Sequence, residues 1–190
     1  MNAFTFAKIK NLTGFYYSIF LWLYRLGITF SSLWNEKVRR WIAGRRNIFE
    51  KIKFETQNSK SDVVWVHCSS LGEFEQGRPV MEKIKLRYPN NKLLVTFFSP
   101  SGYEIKKDYR EADHVFYLPM DSKKNAQKFL DIVKPSMVIF IKYDFWYYYL
   151  FFLQTICDAA TFILFTSLFR HCCKREIEKK KPGLYIGLTA

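Results

Sequence analysis

One carboxylate is placed where it could do chemistry. Glu73 ends the stretch His67-Cys68-Ser69-Ser70-Leu71-Gly72-Glu73, which follows an apolar run and opens a helical pattern. A carboxylate at the mouth of an α/β sheet can act as a general base, accepting the proton of an attacking hydroxyl. Gly72 beside it lets a loop or ligand come close to the backbone. The same spacing also has a purely structural meaning. Ser70-x-x-Glu73 is a capping box, in which the carboxylate reaches back to an unpaired backbone N–H. The N–H groups and dipole of a helix start favour the ionised form, and a base need only be ionised, so the two readings are compatible. A second stretch, Ser99-Pro100-Ser101-Gly102-Tyr103-Glu104, repeats the pattern. Ser101-x-x-Glu104 reads as another capping box, and the N–H groups of that helix start suit a phosphate or carboxylate.

The elements that position these loops are written from residue 61 onward. Residues 62–67, 92–97, 114–117, 137–141 and 161–165 read as short β-rich strands. A helical pattern over 73–87 places Val80, Met81, Ile84 and Leu86 on an apolar face. A short helix follows Gly102, and another spans 122–133 with Ala126, Phe129, Leu130 and Val133 inward, capped by Asp121 and ended by Pro135. Strand–helix–strand repetition predicts a Rossmann-like parallel sheet with right-handed crossovers. Ligands of such sheets lie beyond the carboxyl ends of the strands. That rule selects four loops: 68–73, 98–102, 118–121 and 142–146. Neither a GxGxxG nor a Walker loop is present, so dinucleotide and NTP-hydrolysing readings lack a motif.

Ahead of this body lies a basic, aromatic segment. The chain carries 30 Lys+Arg against 17 Asp+Glu, a formal charge of +13, and is 19% aromatic. Residues 1–60 hold eleven basic and only three acidic side chains. Residues 15–24 (FYYSIFLWLY) are apolar and aromatic, but Arg25 interrupts the run near its centre, which argues against a spanning helix. No small-residue cleavage site follows, as a secretory signal would require. An interfacial helix or a core-packed one remains. Tyr16, Tyr17, Trp22, Tyr24 and Trp34 suit a headgroup region, and the cations of 37–46 suit an anionic leaflet; the expectation is membrane contact. Nucleic-acid binding would call for cations interleaved along a groove, whereas these gather beside the apolar segment. The four cysteines (Cys68, Cys157, Cys172, Cys173) lack metal-ligand spacing and read as free thiols in a reducing compartment. No metal or cofactor is expected.

Taken together the segments resemble the 3-deoxy-D-manno-octulosonic acid (Kdo) transferases. Trp65-Val66-His67-x-Ser69-Ser70-Leu71-Gly72-Glu73 is similar to that family's WVHA-S-(V/L)-G-E signature. Leu94-Val95-Thr96-x-x-Ser99-Pro100-Ser101-Gly102 is similar to its LVT-x-x-(S/T)-P-(S/T)-G, Tyr117-Leu118-Pro119-Met120-Asp121 to its YLP-x-D, and Lys134-Pro135 to its (R/K)P turn. Upstream, Gly44-Arg45-Arg46 resembles its GR(R/K). The resemblance implies the N-terminal half of a GT-B glycosyltransferase, preceded by a membrane-proximal helical segment. It implies inverting, metal-independent transfer of Kdo from CMP-Kdo to a lipid A precursor, an acylated, phosphorylated glucosamine disaccharide, at the cytoplasmic face of the inner membrane. Glu73 maps onto the family's catalytic base. Ser70, Gly72, Ser99, Ser101, Gly102 and Asp144 map onto its acceptor side. Where the family has E-x-E-(L/F)-W-P, this chain reads Lys142-Tyr143-Asp144-Phe145-Trp146-Tyr147; Asp144 and Trp146 match, and Lys142 inherits no catalytic role.

The organisation expected is a membrane-associated helical segment over 1–58, a Rossmann-like acceptor-binding domain over 59–170 and a divergent basic tail over 171–190. The resemblance stops after Arg170 with no second α/β domain following. The expectation is therefore a truncated or frameshifted product with little activity alone, its CMP-Kdo site mostly missing. The alternative reading is a non-catalytic basic α/β domain that binds membrane or lipid.

Overall fold

The structure, a computed structural model, describes residues 3–57, 61–141, 146–156 and 161–165. Five strands, β1 (Val63–Cys68), β2 (Lys92–Phe97), β3 (His114–Tyr117), β4 (Met137–Ile141) and β5 (Thr161–Phe165), form one parallel sheet in the order β3-β2-β1-β4-β5. β1 is central, pairing Val66 with Val95 on one side and with Ile139 on the other. All six of its residues are buried, as expected of a strand covered on both faces. The Rossmann-like α/β class read from the alternation of strand and helix patterns is the one observed.

Alternate residues of β1 enter two cores. Val64, Val66 and Cys68 meet Phe74, Met81 and Ile84 of α4 (Leu71–Arg87). Val63 and Trp65 join Ile48 and Ile52 of α3 (Ile48–Thr56), Phe129 and Leu130 of α6 (Lys123–Val133), and Tyr149 and Leu153 of α7 (Tyr147–Ile156). α3 is therefore a layer of the α/β body, although it lies upstream of the first strand. α7 was not foreseen, because its sequence, YYYLFFLQTI, opens on seven aromatic or leucine residues and shows no clean polar face.

α1 runs unbroken over Ala3–Ser31, because arginine is a good helix former and Arg25 does not end it. A short α2 (Glu36–Ala43) follows, its N-cap Asn35 accepting from the backbone N–H of Lys37 and Val38. α1 does not enter the core. Phe15, Tyr16, Phe20, Trp22, Leu23, Phe30, Leu33 and Trp34, on α1 and the turn after it, are each more than half exposed. Among the described residues no helix is long and apolar enough to cross a membrane.

At the opposite, amino end of the sheet, Asp113 draws β2, β3 and α4 together. Its carboxylate accepts from Lys85 Nζ, from Lys92 Nζ at 2.9 Å and from Leu93 N at 2.9 Å. Burial alone would raise its pKa, but the two ammonium groups and the backbone N–H outweigh that and hold it at about 2. A folded pKa below the unfolded value contributes stability above the unfolded pKa, and that contribution is lost as pH falls through the folded one. Asp113→Asn should accordingly cost about 2 kcal/mol in urea unfolding at neutral pH. The two proteins should converge in stability as pH falls toward 2.

Candidate active site at the carboxyl edge of the sheet

β1 and β4 are neighbours, but the chain leaves β1 into α4 on one face and passes on to α7 on the other. A parallel sheet opens a crevice where its connections diverge in this way, and Glu73 stands at that point. It is the third residue of α4. Its Oε2 accepts from the backbone N–H of Ser69 and of Ser70, the latter at 3.2 Å, while Ser70 Oγ accepts from Glu73 N at 3.5 Å. The capping box read from the spacing is present. Glu73 is only partly buried, and at the adjacent exposed Gly72 an added Cβ would meet nothing within 4 Å among the described residues. Packing gives no reason for a glycine there, whereas space for a ligand does.

Behind Glu73 a hydrogen-bonded chain runs into the sheet. Trp65 Nε1 donates to Thr96 Oγ1 at 2.8 Å, Thr96 Oγ1 lies 2.8 Å from His67 Nδ1, and His67 Nε2 lies 3.4 Å from Ser69 Oγ. Trp65, His67 and Thr96 are fully buried. Burial, with the Arg45 cation adding to it, holds the imidazole down at about pKa 3. His67 is thus neutral near pH 7 and acts as a fixed hydrogen-bonding post under Ser69 rather than as an acid or base.

The second loop lies alongside, with Ser99 N donating to Ser69 O at 2.9 Å. Here the expected capping box is not formed. Pro100, whose fixed φ suits the first helical position, starts α5 (Pro100–Lys106) with Ser99 as N-cap. That start is two residues too early for Ser101 to cap or for Glu104 to reach back. Ser99 Oγ instead meets Ser101 Oγ at 2.9 Å, and Glu104 accepts from the Tyr117 hydroxyl at 3.3 Å. Gly102 is buried, and a Cβ there would lie 2.3 Å from the Phe97 ring, so close packing on β2 accounts for the glycine. Ser70, Gly72, Glu73, Ser99 and Ser101 are brought to one edge of the sheet. Asp144 lies outside the described residues.

Two buried polar groups, Arg45 and Asp121, hold the remaining loops to this edge, a task that sequence reading assigned to neither. Arg45 donates from Nε to Leu118 O at 2.9 Å, from Nη2 to Phe98 O at 2.8 Å and from Nη1 to Trp41 O at 3.2 Å. Its guanidinium carbon lies 3.8 Å from the centre of the Trp41 ring. Burial pushes its pKa down to about 9, which leaves it a cation at neutral pH. Gly44 must be glycine for this contact, since a Cβ would fall 2.2 Å from the Tyr117 ring. The Gly-Arg pair in the sequence was the only sign of it.

Asp121 does not cap α6 as expected. Ser122 does so, accepting from Asn125 N, and this frees the fully buried Asp121 to turn toward α7. Asp121 accepts from the N–H of Tyr148 at 3.1 Å and of Tyr149 at 3.3 Å, and from the Tyr17 hydroxyl at 2.7 Å. α1 is thereby tied to the body, helped by Tyr148 Oη, which lies 2.6 Å from Ser18 Oγ and donates to Gly14 O at 3.1 Å. At the start of α7 Trp146 packs against Phe98, centroids 4.7 Å apart, and against His67 at 5.8 Å.

A Rossmann-like domain with a carboxylate at its switch point defines a class of ligand-handling α/β domains, and similarity narrows it. Residues 46–156 match the family described as 3-deoxy-D-manno-octulosonic-acid transferase (kdotransferase), and the chain belongs to that family, of which it carries N-terminal-domain sequence. It is 30% identical over 95 residues to the 3-deoxy-D-manno-octulosonic acid transferase of Aquifex aeolicus, covering 48% of this chain and 26% of that protein. The enzyme of the same name from Haemophilus influenzae is 26% identical over 135 residues, or 70% of this chain and 31% of the relative. That of Chlamydia trachomatis is 28% identical over 139 residues, or 70% and 32%. The matched region is thus about a third or less of each of these relatives.

Two outcomes check the site's construction. His67 should show no imidazole titration by NMR between about pH 5 and 8. Asp121→Ala leaves two α7 amides and the Tyr17 hydroxyl without their acceptor, which should cost roughly 2–4 kcal/mol at pH 7. Burial lifts the Asp121 pKa to about 6. A folded pKa above the unfolded value contributes most at low pH and loses that contribution as pH rises through 6. The deficit of Asp121→Ala should therefore widen as pH falls from 6 toward 4, as read by urea unfolding.

Proposed function

We propose that this domain is the acceptor half of an inverting Kdo transferase, with Glu73 as the general base. The observation that carries the reading is the Glu73 carboxylate itself. It is held by two backbone amides at the carboxyl end of the central strand, beside a glycine that opens to space. In the reaction an acceptor hydroxyl oxygen bonds to the anomeric carbon of Kdo, CMP departs with the electrons of the broken bond, and the hydroxyl proton passes to Glu73. The backbone amides of Ser69 and Ser70 fix the carboxylate and His67 braces the same loop from below. The chemistry then begins from a preset geometry.

The acceptor fitting this setting is a phosphorylated, acylated glucosamine disaccharide, and the donor is CMP-Kdo, bound by sequence of the kind that forms the rest of the relatives. Membership of the family supports both assignments. The exposed aromatic face of α1, with the cations after it, supports attachment at the cytoplasmic face of the inner membrane, where rings sit among headgroups and cations meet anionic lipid. A purely membrane-binding role would use that same face and leave Glu73 with its capping role alone.

The decisive comparison is CMP-Kdo-dependent transfer to a lipid A precursor, assayed with and without a C-terminal domain supplied from a relative. With that domain, Glu73→Gln should lower kcat by about 10²–10⁴-fold while KM for the acceptor changes little. Equal rates for Glu73→Gln and the parent, or no transfer by either completed protein, would contradict the assignment.

A further inference from the structure

Two cavities flank α1 over the strand ends, and they differ in chemistry. One, of about 480 Å³, is lined by Arg25 of α1, by Arg45 and Arg46 after α2, and by Lys128 of α6, with Glu50 as its one carboxylate. Arg45 donates to three carbonyls and makes no ion pair among the described residues. Arg25, Arg46 and Lys128 make no ion pair among the described residues, and Lys128 only stands over the Phe49 ring. The other cavity, of about 310 Å³, is apolar, with Phe20, Leu21 and Tyr24 of α1 facing Phe98 and Trp146. Met120 lines both. Trp146 joins the apolar cavity to the site described above, since its ring packs on Phe98 and on His67.

From this juxtaposition we infer a bipartite seat for one molecule of a phosphorylated acyl-glucosamine lipid. The phosphate lies among Arg25, Arg46 and Lys128, and an alkyl chain fills the apolar cavity against Phe98 and Trp146. The inference rests on the proposed acceptor chemistry and assigns residues to it. Charge complementarity selects the phosphate, with a single carboxylate facing four cations. The shared wall at Met120 selects a molecule that carries head and chain together rather than two ligands. Phe98 and Trp146 also touch the loops of the candidate active site, so a lipid seated here presents its sugar toward Glu73. α1 forms one wall of both cavities, which makes it part of a binding site as well as a surface for the bilayer.

The test uses the 190-residue chain and three monomeric probes: an acylated glucosamine 1-phosphate with a brominated chain, its dephosphorylated counterpart, and a brominated phosphatidylglycerol. Quenching of tryptophan fluorescence reports the chain's position. The phosphorylated sugar lipid should bind about tenfold or more tightly than either of the others, with the quenching largely lost in Trp146→Phe. Arg25→Glu combined with Arg46→Glu should remove that advantage and leave the dephosphorylated probe as it was. Leu21→Arg should weaken both sugar lipids, with circular dichroism confirming the fold of each variant. Equal affinity for phosphatidylglycerol would mean a mere lipid surface and would overturn the seat, as would quenching indifferent to Trp146→Phe. If Glu73→Gln abolishes transfer while the probes fail to discriminate, the seat alone falls. If Glu73→Gln stays active, the underlying enzymatic reading falls whatever the probes show.

Discussion

A single buried carboxylate sets where the parts of this molecule meet. Asp121 leaves the third strand and receives the first amides of α7 together with the hydroxyl of Tyr17. Asp121 has no ammonium or guanidinium partner among the described residues, and a buried carboxylate of that kind is stable only where hydrogen-bond donors converge on it. The donors come from helices 104 and 27 residues away in the chain, so satisfying Asp121 fixes α1 and α7 against the sheet at once. The position of Trp146, the walls of both cavities and the direction of the exposed aromatic face all follow from that constraint.

Arg45 performs the complementary task on the other side of the same edge. Carbonyls at strand ends lack ladder partners, and a planar guanidinium can satisfy several of them in a fixed fork. By holding Phe98 and Leu118 through their oxygens it joins the second and third loops, while the Ser99–Ser69 bond joins the second to the first. Glu73 thus stands on an edge whose loops are cross-braced, and precise placement of a base depends on that kind of support. Its capping role and its proposed catalytic role use different properties of the same group. The amides fix its position, and its ionised state supplies the acceptor for a proton.

Much of this was legible in the sequence because short-range rules govern it. The five strands announce themselves as apolar, β-branched runs, and the Ser70–Glu73 box follows from spacing alone. What escaped reading depends on partners distant in the chain. Asp121 looks like an N-cap because it precedes a helix, and only the fold shows that the neighbouring Ser122 takes that task. Glu104 looks like half of a capping box, but Pro100 starts its helix early. α7 is hidden because its first seven residues, YYYLFFL, are all aromatic or leucine and carry no period. Arg45 was visible as part of a Gly-Arg-Arg string, yet its burial under three rings follows from the tertiary arrangement. The N-terminal aromatics show the reverse case: the composition pointed to a surface role, and the fold leaves most of them exposed.

The central claim is spatial: a sugar lipid lying along α1 brings its ring to the carboxyl end of β1. Photoaffinity labelling with an acylated glucosamine phosphate bearing a diazirine on the sugar, followed by peptide mapping, measures that directly. Label confined to residues 69–73, with a covalent ester on Glu73, is the predicted result. Label at the amino end of the sheet around Asp113, or spread along the exposed face of α1 with none in that loop, would contradict it.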